Sequence, residues 1–311
     1  MSSGNFLFCS LLFLGPVVSL SSSNWLICWV GMELSFLGAI PLMLSDSSFL
    51  SMSKESVMKY FCVQALGSGL LLIGGVMVYM SPDKFWFGEF FFLGGLFAKL
   101  GVFPMHFWVP GVTAGLNWFP MFIMLVWQKL PPFAFLINLL EGSEWTKTLL
   151  LVFGGLSALF GALIGINQTS VRAMLGSSSI VHTGWACMGA VSGGLWTYYF
   201  IYFVSFFVLV MLFLLSEELI AGFGLLSLSG LPPFVSFAGK WVVLKNLLFG
   251  DFGYVFLVLP IVGALLSLFF YLKFFYSFYL KWSHLLDPKK YVSSSCLVFV
   301  VLSGVFTLFL L

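Results

Sequence analysis

Five ionisable residues stand inside long apolar runs of this sequence. Glu33 lies within WLICWVGMELSFLGAIPLML, Lys99 within FFFLGGLFAKLGVFP and Lys129 within MLVWQKLPP; His182 lies within SSSIVHTGW and Lys240 within LPPFVSFAGKW. On a helix rising 1.5 Å per residue, Glu33 sits roughly 12 Å beyond Trp25. An ionisable group so far from water is costly, which makes it a functional hypothesis by default. The chemistry these residue types allow is proton transfer. Burial penalises the charged form of a lysine or a carboxylate, and a facing opposite charge restores it. A small displacement of Glu33 relative to Lys99 would then load or release a proton. The hydroxyls of Ser177, Ser178 and Ser179, with the imidazole of His182, offer exchangeable protons along a hydrated path. No metal or redox cofactor is needed for this.

Other charged residues read differently. Lys245, Lys273 and Lys281 are placed to snorkel toward headgroups. Glu89, Glu217 and Glu218 read as interfacial or solvated, while Lys59 and His106 leave a structural and a functional reading open. The five cysteines, Cys9, Cys28, Cys62, Cys187 and Cys296, are scattered without a CxxC pair, so neither a zinc nor an iron–sulfur site is expected.

The elements that must position these groups follow from composition. The 311 residues are 61% hydrophobic and only 8% charged, with a mean hydropathy of +1.10. A soluble domain is about 25% charged, and a soluble fold cannot hide this much apolar surface. Disorder is excluded for the same reason, and a net charge of +2 gives no basis for a nucleic-acid surface. The apolar runs are about 20 residues long and hydrophobic on all faces, which suits spanning helices rather than the alternating strands of about 10 residues in a barrel. The expected fold is all-α, a polytopic helix bundle forming one integral membrane domain over 1–311.

About eleven spans are expected: Asn5–Leu20, Asn24–Leu44, Ser56–Met80, Phe85–Phe103, Asn117–Leu140, Lys147–Ile166, Ser170–Val191, Leu195–Leu215, Gly222–Phe249, Phe252–Trp282 and Tyr291–Leu311. Two contain breaks of shared G-x-x-P spacing, Gly101-Val102-Phe103-Pro104 and Gly230-Leu231-Pro232-Pro233. Interrupted helices at corresponding places in two halves point to an inverted repeat with ion sites near the breaks; two unrelated proline kinks are the plainer alternative. On the repeat reading, residues 5–140 form one five-helix copy, 147–282 the second, and 291–311 an extra helix. Lys54, Lys59, Arg172, Lys281, Lys289 and Lys290 fall on the N-terminal side, against Lys84, Lys147 and Lys245 opposite. That bias places the N-terminus on the positive (matrix or cytoplasmic) side. Phe6–Leu20 lacks a basic leader and cleavage site and reads as a mature helix. The abundance of Phe and Gly, with Arg172 the sole arginine, suits a gene rich in G and T inside an organelle.

Six ordered blocks resemble the antiporter-like membrane subunits of mitochondrial NADH:ubiquinone oxidoreductase, respiratory complex I. They are SSSNWLICWVGMEL, VMKYFCVQALGS, KLGVFPMHFWVP, LVWQKLPP, GINQTSVRAMLGSSSIVHTGW and LSLSGLPPFVSFAGKW. The resemblance implies inverted five-helix repeats, each with a discontinuous helix, and kinship to Mrp-type cation/proton antiporters. It implies that Glu33 and Lys99 form a carboxylate–lysine pair, that Lys129 is a central relay, and that Lys240 belongs to the second broken helix. His182 would lie on the hydrated axis between them. NADH, FMN, iron–sulfur clusters and ubiquinone would belong to other subunits, with none in this chain. The implied partners are other membrane-arm subunits and lipids in the mitochondrial inner membrane, and not nucleic acid. Gly111 and Ala173 stand where relatives often carry an acidic residue and a lysine. A free-standing cation/proton antiporter and a non-conducting subunit of the same complex stay open as alternatives.

Overall fold

The computed structural model describes residues 3–44, 50–80, 86–140, 142, 144–215, 218–250 and 253–283. The expected helix over 291–311 lies outside these residues, as do Lys84, Glu217, Lys289, Lys290, Cys296 and the side chain of Glu218. Every regular element among the described residues is helical. A helix satisfies its backbone polar groups within its own segment, which lipid demands.

The chain falls into two units, Met1–Leu149 and Leu150–Leu311. The first contains α1 (Ser3–Ser21), α2 (Trp25–Leu44), α3 (Leu50–Met80), α4 (Trp86–Leu100), α5 (Trp108–Gly115), α6 (Trp118–Leu125), a 3-10 turn (Trp127–Lys129) and α7 (Leu130–Leu140). The boundary falls within α8 (Glu144–Ile166). The second unit continues with α9 (Val171–Ser192), α10 (Leu195–Leu214), α11 (Glu218–Ser229), α12 (Val235–Phe249) and α13 (Val255–Ser283). Small residues on α1 and α2 let the two backbones meet: a Cβ on Gly31 would stand 2.7 Å from the Gly15 carbonyl oxygen.

Six segments among the described residues are long and apolar enough to cross a membrane: Trp25–Leu44, Met52–Met80, Trp118–Leu140, Glu144–Ile166, Leu195–Leu214 and Val255–Lys281. The remaining expected spans among the described residues are shorter or more polar. Asn5–Ser21 and Leu219–Ser229 are short apolar helices, and α4 stops after 15 residues. The helix α9 has 22 residues, but it carries Arg172, three consecutive serines and His182.

Both anticipated breaks are present. Gly101 (φ +71°) and Gly230 (φ +83°) take the left-handed conformation that stops a helix and favours glycine. The helix resumes only at Trp108 after the first break and at Val235 after the second. A third interruption lies where a continuous span was expected over Asn117–Leu140. Val126 (φ −118°, ψ −66°) ends α6, and the 3-10 turn Trp127–Lys129 follows. Pro131 and Pro132 open α7. Without N–H groups they cannot continue the hydrogen-bond ladder from α6, yet they are tolerated in a first helical turn.

Candidate functional site

In the first unit, Lys99 occupies the last turn of α4, directly before the Gly101 break. Its ammonium donates to Glu33 Oε1 on α2 at 2.6 Å. The lysine side chain is 4% exposed and the glutamate 21%, so the pair is buried at its cationic end. A helix end leaves carbonyls without partners and carries partial negative charge, which favours a cation. Side chains satisfy those carbonyls here: Trp108 Nε1 donates to Ala98 O (3.1 Å) and Gln64 Nε2 to Lys99 O (3.4 Å). The lysine stem runs over Gly67 of α3, where an added Cβ would stand 3.1 Å from Lys99 Cγ. Tyr60, fully buried on α3, packs against Phe36 of α2 and Trp108 of α5.

Lys129 is the last residue of the 3-10 turn and is 3% exposed. Its two predecessors pin that turn. Trp127 Nε1 donates to Leu12 O of α1 at 3.0 Å. Gln128 Nε2 donates to Ser35 O at 2.9 Å, and Ser35 Oγ donates to Gln128 Oε1 at 3.1 Å. Ser35 stands two residues after Glu33 on α2, so one helix supports both the carboxylate of the ion pair and the turn bearing Lys129.

In the second unit, Lys240 extends from α12 back to the C-terminal end of α11. Its ammonium donates to Ser229 O at 2.6 Å and lies 5.9 Å from the Trp185 ring centroid. Ser236 Oγ donates to Ser227 O, so two side chains of α12 cap the carbonyls that the break frees. The stem of Lys240 fills the space beside Gly230, where an added Cβ would come within 2.6 Å of its Nζ. Both breaks therefore hold a buried ammonium at the C-terminal end of a half-helix. The partners differ: a carboxylate in the first unit, a backbone carbonyl in the second.

His182, buried on α9, has Nδ1 2.7 Å from the Tyr198 hydroxyl and Nε2 3.5 Å from the Tyr271 hydroxyl. The Tyr202 ring lies 4.7 Å from the imidazole. Ser177, Ser178 and Ser179 are fully buried, but their hydroxyls donate to Met174, Leu175 and Gly176 of their own helix.

The structure thus brings together Glu33 with Lys99, and separately His182 with three phenols. Sequence reasoning missed the phenols and the break-capping groups Gln64 and Trp108. The one signal for Tyr198 and Tyr202 is their spacing, four residues apart on one face of α10, and the neighbouring aromatic rings mask it. Lys59 is exposed and paired with Glu55 at 2.6 Å, four residues away on α3. Lys245 and Lys281 are exposed. Lys273, also exposed, donates to Ile166 O (3.4 Å) and Gln168 O (3.3 Å) at the end of α8. His106 is fully buried, with Phe103 and Phe107 rings at 5.6 and 4.2 Å. Among the described residues, no group of three or more His, Cys, Asp or Glu side chains gathers to hold a metal ion.

Residues 22–222 match the family described as NADH:quinone oxidoreductase/Mrp antiporter, transmembrane. Over 271 residues the chain is 35% identical to the NADH-ubiquinone oxidoreductase chain 2 of Albinaria caerulea, covering 87% of this chain and 88% of that one. The chain belongs to the NADH-ubiquinone oxidoreductase chain 2 family. The fold of this chain 2 family member is also that of a chain in the respiratory complex I of Thermus thermophilus. There the TM-score is 0.80 at 22% identity, over 98% of this chain and 79% of that one. A chain of the Mrp complex from a Dietzia species shares the fold with a TM-score of 0.75 at 17% identity, over 86% of this chain and 59% of that one. The family match starts at residue 22 and ends at 222, so it includes Glu33, Lys99, Lys129 and His182. Chain 2 relatives extend the likeness to most of the sequence.

Proposed function

We propose that this chain is the proton-translocating, antiporter-like subunit of the membrane arm of a mitochondrial NADH:ubiquinone oxidoreductase. It couples quinone reduction in other subunits to proton movement across the inner membrane. The observation that carries this reading is the 2.6 Å pair of Lys99 with Glu33 at a helix break, since a purely structural membrane helix is more stable without a buried charge there. Glu33, Lys99, Lys129, His182 and Lys240 are the relay groups of the proposal. When Glu33 closes on Lys99, the carboxylate favours the ammonium. When it withdraws, the low-dielectric surround favours release of the proton. Lys129, on its pinned turn, is the next cation to load in the first unit. Lys240, held by the Ser229 carbonyl, is the loading group of the second.

Eleven spans in two inverted five-helix copies, about 5–140 and 147–282, with an extra helix over 291–311, complete the reading. Paired left-handed glycines at two G-x-x-P breaks support it. NADH, flavin, iron–sulfur and quinone chemistry is assigned to other subunits, with membrane-arm subunits and lipids as partners and the N-terminus on the matrix side. Reconstitution tests the subunit reading against a free-standing antiporter. The assembled complex in liposomes is expected to acidify the lumen on NADH addition, while the purified chain alone dissipates neither a sodium nor a proton gradient. Gradient dissipation by the isolated chain at a rate comparable to the complex would overturn the subunit reading.

A further inference from the structure

Lys99 and Lys240 each bring an ammonium to the C-terminal end of a half-helix, but they meet different surroundings. Lys99 has the Glu33 carboxylate at 2.6 Å. Among the described residues no carboxylate pairs with Lys240. Its ammonium donates to Ser229 O of α11 at 2.6 Å and stands over the Trp185 ring of α9, 5.9 Å from the centroid. His182 lies one turn before Trp185 on α9. From α10, Tyr198 lies against Gly239, the residue before the lysine. Lysine and indole are both buried, 6% and 1% exposed.

An aromatic face carries partial negative charge and attracts a cation within about 6 Å, and indole does so most strongly. The neutral amine gains no such attraction. Water weakens the contact, so burial of both partners strengthens it. The face is uncharged, so its burial strips no second ion of its solvation. The hydrogen-bonding edge of this indole does not explain its place. No described residue accepts from Trp185 Nε1, and leucine or phenylalanine would fill an apolar site without burying a donor. At 5.9 Å the ammonium stands near the outer limit of the attraction. A small shift of α12 against α9 therefore engages or frees it.

We propose that Trp185 is a positioning residue for Lys240, its indole face standing at the second break where Glu33 stands at the first. This rests on the relay role of Lys240 given above. With the lysine close, the ring favours the protonated form. As α12 carries the ammonium away the hold lapses, and the proton passes from Nζ to water reaching the span, leaving the neutral amine. The Ser229 carbonyl can accept from either form of the lysine; the ring attracts the cation alone and so sharpens the preference for it. Trp185 itself exchanges no proton. It sets how firmly Lys240 holds one, and not the direction in which the proton leaves.

The test compares Trp185→Phe, Trp185→Leu, Lys240→Met and the Lys240→Met/Trp185→Leu double variant in the assembled complex. Initial NADH-driven proton flux into liposomes is followed across neutral and alkaline pH, starting from equal pH on both sides. It is normalised to NADH reduction of an artificial acceptor, which counts intact complex. Because the ring favours the cation, its loss lowers the pH at which Lys240 empties. Trp185→Leu is therefore expected to move the alkaline fall of flux down by about one pH unit. Trp185→Phe, which keeps a weaker face, is expected to move it about half as far. With Lys240→Met already present, Trp185→Leu is expected to change neither the remaining flux nor its pH profile. If Lys240→Met loses flux while both tryptophan variants keep the unaltered profile, the role of the ring is overturned and the relay reading of Lys240 stands. A loss in Trp185→Leu that is equal with and without Lys240, and shifts no profile, makes Trp185 a packing residue and also overturns the proposal. Should leucine prevent assembly, Trp185→Phe decides, and an unshifted fall overturns the proposal. Full flux in Lys240→Met removes the lysine from the relay and the proposal with it.

Discussion

Complexes carrying Lys240→Met are expected to assemble in normal amount and to lose about tenfold in NADH-driven proton flux. Methionine keeps the length of the stem that fills the space beside Gly230 and removes only the ammonium. The Ser229 carbonyl then loses a donor, a cost of about 1–3 kcal/mol confined to one helix end. The neighbouring carbonyl of Ser227 keeps its donor in Ser236. A positioned acid–base group typically contributes about 10²–10⁴-fold to a proton-transfer step, and partial bypass by water reduces the expected loss to about tenfold. Lys240→Arg separates charge from exchange. A guanidinium still holds a cation at the end of α11 but does not give up its proton in a protein. It is therefore expected to fail nearly as badly as methionine. Full flux with arginine would show that only a fixed positive charge is needed at this break. The readout is lumenal acidification per assembled complex.

The second large effect concerns the Glu33–Lys99 pair. Glu33→Gln and Lys99→Met each leave one member of a buried ion pair uncompensated. Breaking such a pair costs about 3–5 kcal/mol; with Glu33 partly exposed, about 3 kcal/mol is expected. Each single variant should therefore lower the melting temperature of the assembled complex, and each should pump poorly. The double variant removes both charges and is expected to recover most of the lost stability without recovering flux. Thermal unfolding of the complex and proton flux, measured on the same four preparations, give the cycle. Additive destabilisation in the double variant would show that the two charges do not depend on one another. Restored flux would show that neither carries protons.

The breaks and their lysines were legible because apolar context makes an exception conspicuous. A lysine in FFFLGGLFAKLGVFP or LPPFVSFAGKW has no nearby polar stretch to explain it, and glycine and proline at fixed spacing mark where a helix must stop. Type and depth marked Glu33 and Lys99 as candidates, but their pairing across 66 positions of sequence was an implication of the family resemblance. The third break escaped because LVWQKLPP reads as a continuous apolar run, while two N–H groups missing at Pro131 and Pro132 decide the geometry. The groups that cap the breaks escaped for a different reason. Gln64 and Trp108 act on carbonyls of another element, and nothing local in their own segments announces it. In LWTYYFIYFVSFF the phenols are hidden among rings that look lipid-facing. Only the approach of α9 brings two of them, Tyr198 and Tyr202, against an imidazole. The serine run also serves its own helix, since a buried hydroxyl on a helix readily donates to the backbone three residues earlier.

Lys129 tests the central claim most directly, because its turn is pinned by the side chains of Trp127 and Gln128. Lys129→Met removes the charge while leaving those three hydrogen bonds in place. Protons delivered and NADH oxidised, counted together in one liposome preparation, are the measurement. If buried lysines at helix breaks carry the protons, Lys129→Met lowers proton delivery about tenfold, and coupled NADH oxidation falls with it. Proton delivery at the unaltered rate, with an unaltered number of protons per NADH, would contradict the account.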